Sequence, residues 1–232
     1  MFNTQFNLYG FFILFSLFIY FINVYILSRK YKIQLLDFIF SLLYEFVFII
    51  IGAISLTFFE NLIKSHSIVL GLSSAGGAIG AIIGILFYCI IYQKGIKNFL
   101  TIYILPLPLA YGIAKIGCFL VGCCYGIYYN EFGHIVYHYS LSAPNSVPLF
   151  PVQLLEVIFN IIIYIFLIVK FYKNKKQSLL IADCFILTGL CKFLTDFLRF
   201  SHNNIILSLN QYICLFFILM GFALYIYDKR RQ

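Results

Sequence analysis

Apolar residues run through the chain in long stretches, each separated from the next by a short group of charged or polar residues. Each stretch reaches the roughly 20 residues that an α-helix needs to cross a bilayer. A longer polar segment, residues 127–150, is expected to form a loop. The pattern predicts seven transmembrane helices, at residues 6–27, 35–59, 68–92, 99–122, 151–170, 179–199 and 205–227.

The composition supports a membrane protein. Hydrophobic residues make up 63% of the 232 residues and charged residues only 10%, whereas soluble domains are roughly 45–50% apolar. The predicted spans and their short connections use nearly the whole chain, which leaves no room for a separate soluble domain. We therefore expect an all-α membrane protein with a single seven-helix transmembrane domain over residues 1–232.

Lysines and arginines are distributed unequally between the two sides of the predicted helices. Twelve of the 16 lie on one side, in the connections after the first, third and fifth helices and at the C-terminus, whereas the opposite side has only Lys64 and Arg199. Because positively charged loops stay in the cytoplasm, the N-terminus is predicted outside and the C-terminus in the cytoplasm. This distribution also accounts for the net charge of +8, so we expect no nucleic-acid partner.

Several charged or polar residues fall inside the predicted helices, where charge is costly and usually functional. At a rise of about 1.5 Å per residue, Lys115 lies roughly 24 Å from the cytoplasmic end of a hydrocarbon core about 30 Å thick. Such residues either bind a polar ligand or connect helices, and their convergence favours a ligand site. Five helices place polar or glycine features at this outer level: Lys115, Gln153, Glu156, Lys192, Asp196, Arg199, Gln211 and the Gly76-Gly77 pair.

Gly76, Gly80 and Gly84 recur at every fourth position of the third predicted helix. Small residues at this spacing let two helices approach closely in a membrane. The stripe therefore predicts tight packing of this helix against a neighbour.

Cys118, Cys123 and Cys124 follow one another closely near the end of the fourth predicted helix. They are interpreted as packing residues, as a thiol relay or as a disulfide. A Cys118–Cys123 disulfide requires the helix to break near Gly122. The spacing of the histidines matches no metal-ligand motif, and we expect no metal and no cofactor.

Residues 114–126, Ala-Lys-Ile-Gly-Cys-Phe-Leu-Val-Gly-Cys-Cys-Tyr-Gly, form the most distinctive segment. The segment resembles the signature of the bacterial prolipoprotein diacylglyceryl transferases, in which Gly-Arg-x-Gly-Asn is followed by x-x-Asn-Gly-Glu and a closing Gly. Gly117, Gly122 and Gly126 match, and Lys115 replaces the arginine. Other segments agree in the family's order: Tyr9-Gly10, Gly76-Gly77, Pro151-x-Gln153-Leu154-x-Glu156, Gly189-x-x-Lys192-x-x-x-Asp196-x-x-Arg199 and Leu207-Ser208-x-x-Gln211.

The resemblance implies an enzyme that transfers a diacylglyceryl group from phosphatidylglycerol to the cysteine thiol of a preprolipoprotein, in the bacterial cytoplasmic membrane. It implies catalytic roles for Lys115, Lys192 and Asp196, with Lys115 stabilising the leaving phosphate. The residues expected to bind substrate are Tyr9, Gly76, Gly77, Gly117, Cys118, Gly122, Cys123, Gly126, Gln153, Glu156, Arg199 and Gln211.

Some positions depart from the family's pattern. Its two signature asparagines, its signature glutamate and two histidines are replaced here by Cys118, Val121, Cys123, Ala75 and Phe150. The base that deprotonates the acceptor thiol stays open among Tyr9, a lysine and no dedicated base. Three other functions also stay open: a non-catalytic homologue that binds lipid or lipoprotein, a thiol-relay enzyme that uses Cys118, Cys123 and Cys124, and a transporter, since charges inside the membrane also line transport paths.

Reporter fusions test the predicted orientation. Fusions at residues 28–34, 93–98 and 171–178 are expected to report a cytoplasmic location, because these connections carry most of the basic residues. A fusion within 127–150 is expected to report an external location. A cytoplasmic location of 127–150 would reverse the orientation and the depth assigned to Lys115.

Overall fold

Helices account for almost all regular structure in the computed structural model, which describes residues 2–65, 71, 73–173, 175–202 and 206–230. A two-stranded antiparallel sheet lies in the predicted loop, with β1 at Ile135–Val136 and β2 at Pro148–Leu149. The helices are α1 Phe2–Lys30, α2 Leu35–Ser65, α3 Ser74–Ile91, α4 Ile96–Ile104, α5 Leu107–Val121, α6 Val152–Tyr172, α7 Gln177–Asp196 and α8 Leu209–Arg230.

Six helical segments among the described residues are long and apolar enough to cross a membrane, which makes the chain a multi-pass membrane protein. The third predicted helix corresponds to α3, whose apolar part, Ala75–Ile91, is shorter. The predicted starts of the third and last helices, at residues 68 and 205, lie outside the described residues. The count of seven spans stays a prediction. The six segments are Leu8–Lys30, Leu35–Phe59, Ile96–Val121, Val152–Tyr172, Gln177–Asp196 and Leu209–Arg230.

The helices group into two compact units. One unit consists of Met1–Asn23 with Leu105–Gln232, and the other of Val24–Ile104. In the first unit α5, α6, α7 and α8 pack against one another in chain order, and in the second α3 packs against α2 and α4. The single-domain organisation expected from the composition stays a prediction.

Prolines interrupt the fourth predicted helix, which the apolar pattern places at residues 99–122. α4 ends at Ile104, and α5 begins after Pro106, with Pro108 in its first turn. A proline inside a helix lacks the N–H donor, and its ring clashes with the preceding turn. The predicted single helix is therefore two consecutive helices that make up one candidate membrane span.

The sixth predicted helix, residues 179–199, ends earlier than the apolar pattern indicates. α7 ends at Asp196, and the Arg199 N–H donates to the Asp196 carbonyl, three residues back, at 3.1 Å. An isolated antiparallel bridge then pairs Arg199 with Gly126. Because this bridge takes the chain out of the helix, the predicted extension of the sixth helix to Arg199 is wrong.

The glycine stripe of α3 packs against α2, which confirms the predicted close contact. A side chain on Gly76 would overlap the Gly52 carbonyl, and one on Gly80 would overlap the Phe48 carbonyl. At Gly84 an added Cβ would lie 2.9 Å from the Phe48 Cβ, inside ordinary contact distance. The backbones of α2 and α3 are therefore in direct contact, which small residues permit between membrane helices.

Gly80→Ala tests this contact. The new Cβ would collide with the Phe48 carbonyl, and overpacking costs about 1–3 kcal/mol, so the apparent free energy of unfolding in detergent is expected to fall by that amount. Gly10→Ala is the control, because a Cβ at Gly10 meets no atom within 4 Å. Helix propensity makes that change neutral or stabilising by up to about 1 kcal/mol. Equal unfolding curves for the two variants would contradict the packing.

Candidate active site

The charged residues of the first unit surround a fully buried carboxylate, that of Glu156 in α6. Lys115 of α5 places its Nζ 3.1 Å from Oε2, and Lys192 of α7 places its Nζ 3.0 Å from Oε1. Arg199 donates from one terminal nitrogen to both carboxylate oxygens, at 2.8 and 3.0 Å. The predicted convergence of these four residues is confirmed.

Positive charge exceeds negative charge in this cluster. Asp196 adds a second carboxylate, 3.8 Å from Arg199 Nε, so three cationic side chains face two carboxylates. Lys115, Glu156, Asp196 and Arg199 are buried. Because an unbalanced buried charge is unfavourable, the cluster is suited to bind an anion.

Backbone contacts position Arg199 beyond the end of α7. The Ile127 N–H donates to the Leu198 carbonyl at 3.0 Å, next to the bridge between Gly126 and Arg199. A Cβ on Gly126 would lie 3.1 Å from the Leu198 oxygen and would overlap the Phe150 carbonyl. Glycine at this position therefore allows the approach that holds the guanidinium at the carboxylate.

Gln211 supports the cluster from α8. Ser208 donates its hydroxyl to Asp196. The buried Gln211 amide accepts from the Ser208 N–H at 2.9 Å and donates to the Phe193 carbonyl at 3.2 Å. Both ends of the Gln211 amide bind backbone groups, so this residue positions Ser208 and, through it, Asp196. The predicted contact of Gln211 with substrate stays a prediction.

Some buried polar atoms beside the cluster have no hydrogen-bond partner among the described residues: Tyr111 OH, Gln153 Oε1 and Arg199 Nε. The Tyr111 ring centroid lies 5.1 Å from Lys115 Nζ and 5.6 Å from Lys192 Nζ. Gln153 uses its Nε2 to donate to the Cys123 carbonyl at 2.9 Å. Because buried polar groups are nearly always paired, these atoms are candidate contacts for a polar ligand.

Tyr9 approaches the signature segment from α1. A Cβ on Gly117 would lie 2.9 Å from the Phe12 Cβ and 3.6 Å from the Tyr9 Cδ2. Glycine at position 117 thus lets α1 pack against α5.

The helix breaks at Gly122, as a Cys118–Cys123 disulfide would require. Gly122 follows α5 with a φ of +78°, and the Sγ atoms of Cys118, Cys123 and Cys124 all lie within 4.8 Å of one another. The three thiols are free. Hydrogen bonds from Cys118 and Cys123 lower the pKa of the Cys124 thiol, and the positive charge of Lys115 lowers it further.

The Gly76-Gly77 pair belongs to the second compact unit, whereas the charged cluster belongs to the first. Gly76 meets Gly52 of α2, and a Cβ on Gly77 would lie 3.6 Å from Ile49 Cγ2. Both glycines serve helix packing within their unit. Their predicted contact with substrate stays a prediction.

Two neighbours of the charged cluster were missed in the sequence analysis. Thr195 donates its hydroxyl to Glu156 Oε1 at 3.2 Å, and Tyr111 lies beside both lysines. Residues three or four apart share a helix face. Helical spacing could therefore have placed Tyr111, four residues before Lys115, and Thr195, three residues after Lys192, on the same faces as these lysines.

The sequence model of the prolipoprotein diacylglyceryl transferase family matches residues 1–227, nearly the whole chain. The chain belongs to this family. Membership confirms the resemblance carried by the signature segment. Within the family's signature, Lys115 contributes to the charged cluster, and Cys118 and Cys123 replace polar residues.

Relatives named phosphatidylglycerol–prolipoprotein diacylglyceryl transferase match most of the chain. The enzyme numbered 2 of Clostridium perfringens is 30% identical over 156 residues, which cover 66% of this chain and 61% of the relative. That of Clostridium tetani is 29% identical over 179 residues, covering 75% and 72%. That of Campylobacter hominis is 31% identical over 163 residues, covering 67% and 56%. The chain thus spans less than two thirds of the C. perfringens and C. hominis relatives.

Glu156→Gln tests the dependence of the fold on the buried carboxylate. The change leaves three cations without their shared partner, and breaking a buried ion pair costs about 3–5 kcal/mol, so a loss of that size in the apparent free energy of unfolding is expected. Glu131→Gln is the control, because Glu131 is exposed and such changes stay within about 0.5 kcal/mol. Unfolding of both variants at the same denaturant concentration would show that the network does not hold the helices together.

Proposed function

We propose that this protein transfers a diacylglyceryl group from phosphatidylglycerol to the cysteine thiol of a preprolipoprotein. The observation that carries the proposal is the buried cluster in which Lys115, Lys192 and Arg199 meet Glu156 with positive charge in excess. The relatives' names, which specify phosphatidylglycerol and prolipoprotein, support the same substrates for this chain.

The proposed reaction breaks the bond between the diacylglycerol carbon and a phosphate oxygen of the lipid. The acceptor sulfur forms a bond with this carbon and loses its proton. The departing glycerol phosphate takes the bonding electron pair and gains one negative charge. Cations placed around the phosphate stabilise this developing charge, and Lys115 and Arg199 are the residues proposed for that role.

Other residues of the cluster have proposed roles that follow from their contacts. Glu156 holds the three cations together, and Asp196 holds Arg199 from the other side. The Lys192 side chain is 20% exposed, against 7% for Lys115, so Lys192 is the cation that first meets an entering headgroup. Gln153 has an unpaired oxygen suited to a headgroup hydroxyl.

The proposed location is the outer leaflet of the bacterial cytoplasmic membrane. The basic residues support an external N-terminus and a cytoplasmic C-terminus, with the 127–150 loop outside. In that orientation the signature segment ends on the external side, where a secreted preprolipoprotein is available.

A non-catalytic homologue is the second candidate, and the replacement of signature residues at Ala75, Cys118 and Cys123 favours it. Such a protein would keep the cation cluster and bind phosphatidylglycerol. The two candidates therefore differ in turnover and agree in lipid binding.

Purified protein in phosphatidylglycerol vesicles, supplied with a peptide that carries a lipobox cysteine, tests the proposal. Release of glycerol phosphate and a gain of one diacylglyceryl group in peptide mass are expected. Because Lys115 is proposed to offset charge on the leaving phosphate, Lys115→Ala is expected to lower the rate about a hundredfold or more, equivalent to about 3 kcal/mol. Lys115→Arg keeps the charge and is expected to keep much of the rate.

Lys173→Ala is the matched control, since Lys173 is an exposed lysine in the connection between α6 and α7. Its rate is expected to equal that of the unaltered protein. Unfolding curves are compared for all variants, because the loss of Lys115 removes one partner of Glu156. Full activity of a folded Lys115→Ala protein would contradict the assigned role. Tight lipid binding without turnover by the unaltered protein would favour the non-catalytic homologue.

A further inference from the structure

The cysteine cluster, Cys118, Cys123 and Cys124, is built by the turn that ends α5. The Gly122 N–H donates to the Phe119 carbonyl at 3.3 Å, and the Cys123 N–H donates to the Cys118 carbonyl at 3.0 Å. These two bonds and the positive φ of Gly122 define a Schellman motif, which brings the side chains at the positions of Cys118 and Cys123 together. The backbone therefore juxtaposes two of the sulfurs.

The third sulfur joins them through an unusual backbone conformation. Cys124 has a φ of +56°, a left-handed conformation that residues with a Cβ rarely adopt. Such conformations persist where the surrounding structure holds them and cluster at functional sites. With this turn, all three Sγ atoms lie within 4.8 Å of one another.

A triangle of three sulfurs fits a metal ion better than a disulfide. Zn²⁺ binds thiolate sulfur at about 2.3 Å, so two sulfurs of a tetrahedral site are about 3.8 Å apart. The observed separations of at most 4.8 Å require inward movements of about 1 Å or less to reach this value. A disulfide joins two sulfurs at about 2.05 Å and leaves the third without a role.

Three protein ligands leave one coordination position open. Among the described residues, no fourth histidine, cysteine, aspartate or glutamate belongs to this group. Zinc sites with three protein ligands use the fourth position for water or substrate, whereas structural sites are closed by four ligands. Cys118 is buried and Cys124 exposed, so the cluster reaches the accessible surface.

Electrostatics favour a divalent ion. Three thiolates and one Zn²⁺ carry a net charge of about −1, opposite in sign to the excess positive charge of the neighbouring cluster. Lys115 and Arg199 both interact electrostatically with Cys124. The two clusters are therefore electrostatically complementary.

We propose that Cys118, Cys123 and Cys124 bind one Zn²⁺ ion whose open position takes the acceptor cysteine as a thiolate. This inference rests on the proposed transferase function and supplies the thiol activation that the sequence left open. A thiol that coordinates zinc is deprotonated, and its proton passes to water. The sulfur then bonds to the glycerol carbon, the carbon–oxygen bond breaks, and the phosphate leaves with the electron pair. The resulting thioether, a weaker ligand than thiolate, is replaced on zinc by water.

Metal binding by the full-length protein in detergent gives the first test, independent of activity. Zn²⁺ is titrated against a chromophoric chelator, and Co²⁺ is added separately to detect thiolate charge-transfer absorption. One ion per chain is expected. Cys123→Ser and Cys124→Ser are expected to weaken binding by more than the roughly 10–100-fold that loss of an outer-shell partner costs. Cys89→Ala is the control, because this buried cysteine lies in the other compact unit.

Turnover with the phosphatidylglycerol vesicles and lipobox peptide gives the second test. Removal of metal by a chelator is expected to abolish turnover, and Zn²⁺ is expected to restore it in the unaltered protein but not in folded Cys124→Ser. Undiminished turnover by metal-free protein would overturn the zinc inference and leave the proposed function intact. Zinc binding without turnover under any condition would instead overturn the proposed function. Failure to bind Zn²⁺ or Co²⁺, with a disulfide found among the three cysteines, would overturn the metal site itself.

Discussion

The buried carboxylate of Glu156 is the constraint on which the site depends. An ionised carboxylate inside a membrane protein is stable only with close partners, and here the partners come from α5, α7 and the turn beyond α7. Because the three cationic side chains must all reach Glu156, they constrain how α5, α7 and the turn beyond α7 pack against α6. The same requirement gathers more positive than negative charge, so the contacts that stabilise the fold also form a candidate anion site.

Irregular backbone at the ends of the helices completes the site. Gly122 turns the chain at the end of α5 and brings the cysteines together, while the Gly126–Arg199 bridge holds the guanidinium beyond the end of α7. Both glycines occupy places where a side chain would overlap a neighbour. Close packing therefore explains both of these family glycines in this chain, whatever reaction the protein performs.

The proposed chemistry divides between two neighbouring clusters. The cations around Glu156 suit the phosphate that leaves, and this part keeps the family's charge pattern, with Lys115 in place of arginine. Cys118 and Cys123 replace an asparagine and the glutamate of the signature, and they offer soft sulfur ligands where the family has oxygen and nitrogen. In the proposed mechanism, this change alters how the acceptor thiol is activated and leaves the stabilisation of the phosphate unchanged.

The sequence alone determined most of the helices, the close packing of the α3 glycines against a neighbouring helix, the family and the common level of Lys115, Glu156 and Lys192. The family follows from the signature segment and the other motifs in the family's order. The remaining features follow from composition and from the fixed rise and periodicity of a helix, which are local properties. Only the tertiary structure decided that the Glu156 carboxylate pairs with all three cations, that Arg199 lies beyond the end of α7, and that the three cysteine sulfurs lie close together. Those features depend on long-range packing and on a bridge between residues 73 positions apart, Gly126 and Arg199, which no local pattern encodes.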